Sequence, residues 1–137
     1  ITQDGKHVYE KIAELVDEWG SGLTGNNGYS NVGAVVGATW PEQAKMLRKI
    51  MKRAYILVPG YGAQGGTAMD AAQSFNRDGL GAVINASRSI LCAWKSEHWK
   101  DKYKHEDFDS AARDEAIRMR DDINMAIESI LKGRKGD

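Results

Sequence analysis

The chain has 137 residues, with nineteen basic and nineteen acidic side chains that balance to a formal net charge of zero. Neither sign is concentrated in a long block, which argues against a nucleic-acid partner. No apolar run approaches the roughly 18 residues that cross a membrane, and the first residues lack the layout of a signal peptide, so we expect a soluble, cytoplasmic protein with no membrane partner.

The first predicted element is an amphipathic helix, with no strand before it. Between Lys6 and Trp19 the apolar residues recur at spacings of three and four, which predicts one buried stripe. That stripe consists of Val8, Ile12, Leu15, Val16 and Trp19. A loop rich in glycine, asparagine and serine follows over residues 23–31. Because Ile1 is not methionine and leads almost directly into the helix, we expect the chain to be part of something longer.

Three short runs of small and β-branched residues predict strands at 32–38, 54–58 and 81–86. They lack polar alternation, as expected of parallel strands that are covered on both faces. Helices are predicted to follow near Pro41, with Thr39 as the cap, after the capping box Thr67 to Asp70, and after residues 87–89. A charged connector at 95–108 precedes a last helix capped by Asp109 or Ser110. The predicted buried side of that helix contains Ala116, Ile123, Ile127, Ile130 and Leu131.

The order of elements is one helix followed by three strand-helix repeats, with roughly 22 to 27 residues between strand starts, as in parallel βα units. Three parallel strands on their own would leave two bare apolar edges, which native proteins avoid. A closed (β/α)8 barrel needs eight strands over roughly 250 residues. We therefore predict an α/β fold that forms the C-terminal part of a (β/α)8 barrel.

Two neighbouring strand-to-helix loops contain the parts of a phosphate site. In the first loop, at 59–66, glycines such as Gly60 and Gly62 allow close approach of the backbone to an anion, and Gln64 adds a neutral donor. In the second, amides near Ser87 and the planar guanidinium of Arg88 can bind phosphate oxygens. Barrel loops in this position commonly bind phosphate. Taken singly, a glycine-rich loop is more often only a turn, and Arg88 could be a solvated cap or an ion pair.

Three motifs carry a family resemblance: VGAVVGATWP at 32–41, VPGYGAQGG at 58–66 and NASRS at 85–89. Together they resemble the orotidine 5'-monophosphate decarboxylases, especially the branch with longer chains, over nearly the whole sequence. The resemblance implies that residues 1–137 are one partial domain with strands six to eight of the barrel, completed by an N-terminal portion of the same enzyme. It also implies a homodimer.

The resemblance implies roles for residues of the two loops. Gln64 and Arg88, with Ser87, would hold the 5'-phosphate of orotidine monophosphate or uridine monophosphate. Pro59 would line the pocket near the reacting carbon, with Tyr61 beside the ribose. Gly60 and Gly62 would complete the substrate pocket. The implied reaction converts orotidine monophosphate to uridine monophosphate in pyrimidine biosynthesis, without a metal or an organic cofactor.

The catalytic signature of that family, Asp-x-Lys-x-x-Asp, is not matched. Asp4 and Lys6 supply its first two members, but Tyr9 stands at the place of the last aspartate, and the segment opens a helix rather than ending a strand. We therefore expect no catalytic residue in this chain and no activity from the chain alone.

Two alternatives remain open from the sequence. One is another phosphate-binding barrel enzyme, such as a sugar-phosphate epimerase or a related decarboxylase. The other is a non-catalytic nucleotide-binding module that folds as a monomer. A metal site is disfavoured, because the possible ligands lie in a polar connector. Those possible ligands are His98, His105, Glu106 and Asp107. The only cysteine, Cys92, has apolar neighbours and is predicted to be buried.

Overall fold

The predicted order of elements is confirmed by the computed structural model, which describes residues 1–62 and 64–133. The helices are α1 (Val8–Gly20), α2 (Pro41–Ile50), α3 (Ala68–Ala72), α4 (Arg88–Leu91) and α5 (Phe108–Gly133), and the strands are β1 (Ala34–Val35), β2 (Ile56–Val58) and β3 (Ala82–Ile84). Single 3-10 turns lie at Ala93–Lys95, where the connector begins, and at His105–Asp107, near its end. No helix in the described ranges is long and apolar enough to span a membrane.

The three strands form one parallel sheet in the order β1-β2-β3. The assigned strands are shorter than the predicted runs, although the hydrogen bonding continues past the end of β1. The Val36 N–H donates to the Leu57 carbonyl at 2.9 Å, and the Ala38 N–H donates to the Pro59 carbonyl at 2.9 Å. Each strand is followed by a helix, so the chain has the α/β architecture of three βα units of a (β/α)8 barrel.

The two faces of this sheet differ, and the expectation that both are covered is wrong for the described residues. Helices cover one face, where Ile56 and Val58 are fully buried. On the other face Val35, Leu57 and Val83 lie opposite one another in register and are 67%, 41% and 56% exposed. In a barrel the uncovered face would point into the interior, where apolar side chains of all the strands pack in layers.

Helix α1 buries a different stripe from the predicted one. Its buried residues are Ala13, Val16 and Gly20, and only Val16 belongs to the predicted set. The other side chains of that set are not buried: Val8, Ile12 and Trp19 are exposed and Leu15 is half-buried. Small residues let α1 pack closely on its neighbours, and the periodicity of large apolar residues therefore marked the wrong face.

Three further predictions need correction. In α5 the buried residues recur every three or four positions, which leaves Ala116 exposed, while Ile123 is buried as predicted. These buried residues are Ala111, Glu115, Met119, Ile123 and Ala126. Cys92, predicted to be buried, is exposed at the end of α4, where the helix stops after four residues. Trp40 rather than Thr39 occupies the cap position of α2, and its side chain forms no capping bond.

The amino end of the sheet is closed by a buried arginine that no pattern in the sequence indicated. Arg48 is only 4% exposed, and its guanidinium donates to backbone carbonyls from three separate segments. The acceptors are the carbonyls of Ser74 at 2.7 Å, Met51 at 2.6 Å, Ala54 at 3.0 Å and Gly81 at 2.7 Å. Burial lowers the pKa of Arg48. Arg48 thereby joins the end of α2 to the starts of β2 and β3.

Candidate functional site

A small pocket opens at the carboxyl ends of β2 and β3. Its volume is about 80 Å³, and it is lined by the two loops in which a phosphate site was predicted. The lining residues are Pro59, Gly60, Tyr61, Gln64, Asn85, Ala86, Ser87, Arg88 and Ser89. Because β2 and β3 are adjacent parallel strands, residues about 25 positions apart meet at one edge of the sheet.

The pocket brings together six of the seven predicted site residues. The exception, Gly62, belongs to the same loop but does not line the pocket; a side chain there would approach the Ser89 hydroxyl at 4.0 Å. Asn85 and Ser89 also line the pocket. They were part of the quoted NASRS motif but were not predicted as site residues, although their polar side chains beside Arg88 were a signal that could have identified them.

The glycines of the loop are required by its backbone conformation. Gly60, Gly62 and Gly65 have φ values of 100°, 73° and 91°, in the left-handed region that favours glycine. At Gly66 the constraint is space, because an added Cβ would lie 2.7 Å from the Gly60 carbonyl oxygen and 2.8 Å from the Ala38 side chain. The loop is therefore folded tightly against the segment that follows β1.

Several of the amides that were expected to bind an anion are already occupied. The Gly62 N–H donates to the Gly66 carbonyl at 2.8 Å, and the Gly66 N–H donates to the Gly60 carbonyl at 3.0 Å. At the start of α3 the predicted capping box is formed: the Thr67 N–H donates to the Asp70 carboxylate at 2.9 Å, and the Asp70 N–H donates to the Thr67 hydroxyl at 3.2 Å. An anion contact at the start of α3 is therefore disfavoured, because these donors are used and Asp70 adds a negative charge.

The donors that remain are mostly on the second loop. Arg88 is exposed, and none of the ion pairs formed within the described ranges includes it. Ser87 occupies the cap position of α4 without a side-chain capping bond. The first-turn amides of a helix have no partner within the helix itself. On the first loop, the exposed Gln64 side chain lines the same pocket. A tetrahedral anion could therefore be bound from two sides.

The base of the loop is joined to α5 through Tyr61. This residue is 6% exposed, and its hydroxyl donates to the Asp122 carboxylate at 2.7 Å. Burial, and then the hydrogen bond to Asp122, raise the pKa of the Tyr61 hydroxyl to about 12. The expected place of Tyr61 in the pocket lining is thus compatible with the structure, but its hydroxyl is used for a contact with α5.

About two turns before Asp122 on α5, a buried carboxylate, Glu115, accepts hydrogen bonds from two residues. Arg118 donates to Glu115 at 2.7 Å, and the Trp99 indole N–H donates to Glu115 at 2.8 Å. Burial raises the pKa of Glu115, but these hydrogen bonds outweigh it and keep the pKa below its usual range. Side-chain hydrogen bonding to Glu115 raises the pKa of Arg118. This face of α5 is therefore fixed by charged hydrogen bonds.

Groups that could have suggested other chemistry have ordinary local partners. Lys6 forms an ion pair with Glu14 on α1, and no strand precedes it among the described residues. His98 packs edge-on against Trp99, and His105 packs edge-on against Trp94. Within the described ranges, no three His, Cys, Asp or Glu side chains are grouped so that they could hold a metal ion.

Comparisons with known proteins agree on one family. No family model matches the chain. An orotidine 5'-phosphate decarboxylase of Clostridium acetobutylicum is 44% identical over 126 residues, which are 92% of this chain and 42% of the relative. The predicted family resemblance is confirmed. The chain is similar to part of the orotidine 5'-phosphate decarboxylases, and it spans about two fifths of the length of the curated relatives that it matches.

Solved structures agree with the fold of these decarboxylases. A Leishmania donovani UMP synthase matches with a TM-score of 0.60 at 29% identity, over 88% of this chain and 23% of that one. A Leishmania donovani OMP decarboxylase matches with a TM-score of 0.56 at 28% identity, over 82% of this chain and 41% of that one. The predicted fold class, part of a (β/α)8 barrel, is confirmed.

Proposed function

We propose that this chain is the phosphate-binding part of an orotidine 5'-monophosphate decarboxylase, an enzyme that converts orotidine monophosphate to uridine monophosphate and carbon dioxide. The observation that carries the proposal is the pocket between β2 and β3, where Gln64 and Arg88 line one cavity on neighbouring barrel loops. The 44% identity to a named decarboxylase supports this reaction over that of another phosphate-binding barrel enzyme.

The proposed contribution of these residues is to bind and orient the substrate. The Arg88 guanidinium would bind two oxygens of the 5'-phosphate, with Gln64 and the Ser87 region as neutral donors. Pro59 and Gly60 would form the pocket side nearest the nucleoside. Energy from binding the phosphate, which does not itself react, can lower the barrier at the distant pyrimidine. No proton transfer is assigned to a residue of this chain.

We further propose that the three strands are strands six to eight of the barrel and that the other strands complete the fold. The uncovered row Val35, Leu57 and Val83 supports this arrangement. These apolar side chains lie side by side on the sheet, and among the described residues no element packs against them. A self-sufficient nucleotide-binding module would need another element to cover this row. The homodimer and the cytoplasmic location stay predictions.

Reconstitution tests the proposed function. The chain would be co-expressed with the part of the Clostridium acetobutylicum enzyme that it does not match, and decarboxylation of orotidine monophosphate would be followed spectrophotometrically. We expect activity from the two parts together, here called the reconstituted barrel, and none from either part alone. A stable reconstituted barrel that leaves orotidine monophosphate unchanged would contradict the proposal.

A further inference from the structure

The pocket at the carboxyl ends of β2 and β3 is lined by a buried tyrosine, Tyr61, whose hydroxyl bonds to α5. Tyr61 follows β2 by three residues and begins the turn that is closed by Gly66, with which it forms an isolated parallel bridge. Its ring is almost completely buried, and its hydroxyl donates to Asp122, 61 residues later in the chain. This is a direct side-chain bond between the phosphate loop, residues 59–66, and α5.

The acceptor of this bond, Asp122, lies on a part of α5 that is held by other side-chain bonds and by helix packing. Four residues before Asp122, Arg118 is paired with the buried Glu115, which also accepts from Trp99 in the connector. Helix α5 also packs against α3 and α4, the two helices that follow the loops of the pocket. The Tyr61 hydroxyl therefore bonds to an anchor that is shared by both sides of the site.

We infer that Tyr61 is a positioning residue, whose hydrogen bond to Asp122 holds the phosphate loop in the conformation that binds the 5'-phosphate. The inference rests on the proposed function and names a device within the same site. Such a bond adds to the support of the loop, because glycines permit many backbone conformations and the internal hydrogen bonds among the described residues of the loop join glycine to glycine. Without the anchor, we expect Gln64 to be held less firmly in the pocket that it lines together with Arg88.

The chain provides a matched control in Tyr29. Tyr29 is also 6% exposed, and its hydroxyl donates to the Asp78 carboxylate at 2.9 Å, but it lies near the amino end of the sheet. Removing either hydroxyl deletes a hydrogen bond from a buried ring to a carboxylate, and at Tyr29 it also deletes the bond that the hydroxyl accepts from Asn76 at 2.9 Å. A purely structural role would thus give similar effects for Tyr61→Phe and Tyr29→Phe.

The test compares the affinities of the reconstituted barrel for uridine monophosphate and for uridine, measured by titration calorimetry. Their ratio isolates the contribution of the phosphate. We expect Tyr61→Phe to lower this ratio about tenfold, as the loss of one charged hydrogen bond would allow, whereas Tyr29→Phe leaves it unchanged. Asp122→Ala should match Tyr61→Phe, the double variant should lose no more than either, and Asp122→Asn should restore part of the ratio because its amide oxygen still accepts.

Amide hydrogen exchange on the same samples gives a second measurement that does not depend on a ligand. Faster exchange at Gly62 and Gly66 in Tyr61→Phe, but not in Tyr29→Phe, is the expected result. Equal changes in the two tyrosine variants, or an unchanged ratio in Tyr61→Phe, would overturn the inference. An unaltered reconstituted barrel that binds uridine monophosphate no better than uridine would instead overturn the proposed phosphate site itself, which keeps the two failures distinguishable.

Discussion

Each end of the sheet has an arginine and a buried tyrosine, but the two arginines have different surroundings. At the amino end Arg48 is buried and donates to the carbonyls of four residues, whereas Arg88 at the carboxyl end is exposed and belongs to no ion pair of the described residues. A buried tyrosine donates to an aspartate at each end, Tyr29 at the first and Tyr61 at the second. Arg48 therefore supports the fold, because its donors are bonded to backbone carbonyls. Arg88 lines a pocket and forms no ion pair among the described residues, so its guanidinium is accessible to the proposed ligand.

The largest expected effect comes from the buried arginine. Replacing Arg48 by methionine keeps much of the volume but leaves several buried carbonyls without a donor, each of which costs about 1 to 3 kcal/mol. We expect the free energy of unfolding, measured with denaturant, to fall by at least about 3 kcal/mol. Arg88→Met is the matched control and should change it by less than about 0.5 kcal/mol. Similar losses in both variants would remove the distinction between the two ends.

A methyl group added to each of two crowded glycines separates binding from stability. In Gly66→Ala the new Cβ would meet the Gly60 carbonyl oxygen, and in Gly81→Ala it would meet Tyr29 and Asn76 at 2.9 Å. Each substitution should destabilise the fold by about 1 to 3 kcal/mol, as overpacking does. Only Gly66→Ala should also weaken binding of uridine monophosphate by the reconstituted barrel, as measured by calorimetry. Weaker binding in Gly81→Ala at a temperature where it is fully folded would contradict this division.

The smallest expected effect is a dependence on pH. The pKa of Tyr61 rises from 10.0 to about 12 in the folded chain, so its hydroxyl stabilises the fold fully below pH 10 and loses that effect as the pH approaches 12. The difference in unfolding free energy between the unaltered chain and Tyr61→Phe should therefore be smaller at about pH 11 than at about pH 8. In a pH titration followed by tyrosine absorbance, the variant should lack one of the ionisations that occur well above pH 10. A constant difference would indicate that the hydroxyl is not held as described.

The sequence predicted the carboxyl end better than the amino end. Glycines, Gln64 and Arg88 come shortly after predicted strands, so the parallel βα order was enough to bring them together at one edge. Arg48 lies among polar residues of α2, and its burial depends on carbonyls from other segments that no local pattern indicates. The Tyr61 bond to Asp122 was missed for the same reason, since it joins residues 61 positions apart.

The buried faces of the helices were predicted less well than the strands. The stripe of α1 was assigned from its large apolar residues, but small residues such as Ala13 and Gly20 make the close contacts. Val8, Ile12 and Trp19 remain exposed, as do Val35 and Val83 on the open face of the sheet. The sequence thus identified which residues form apolar surfaces. It could not show whether those surfaces pack within this chain or against the other elements of the proposed barrel.

The most direct test of the central claim is the binding of uridine monophosphate and of uridine to the reconstituted barrel with Arg88→Ala or Arg77→Ala. Both arginines are exposed and flank β3, but Arg77 lies at its amino end, outside the pocket. The proposed site predicts that Arg88→Ala weakens uridine monophosphate binding by about 1.5 to 3 kcal/mol, leaves uridine binding unchanged and is not reproduced by Arg77→Ala. Unchanged uridine monophosphate binding in Arg88→Ala, or an equal loss in both variants, would contradict the proposed site.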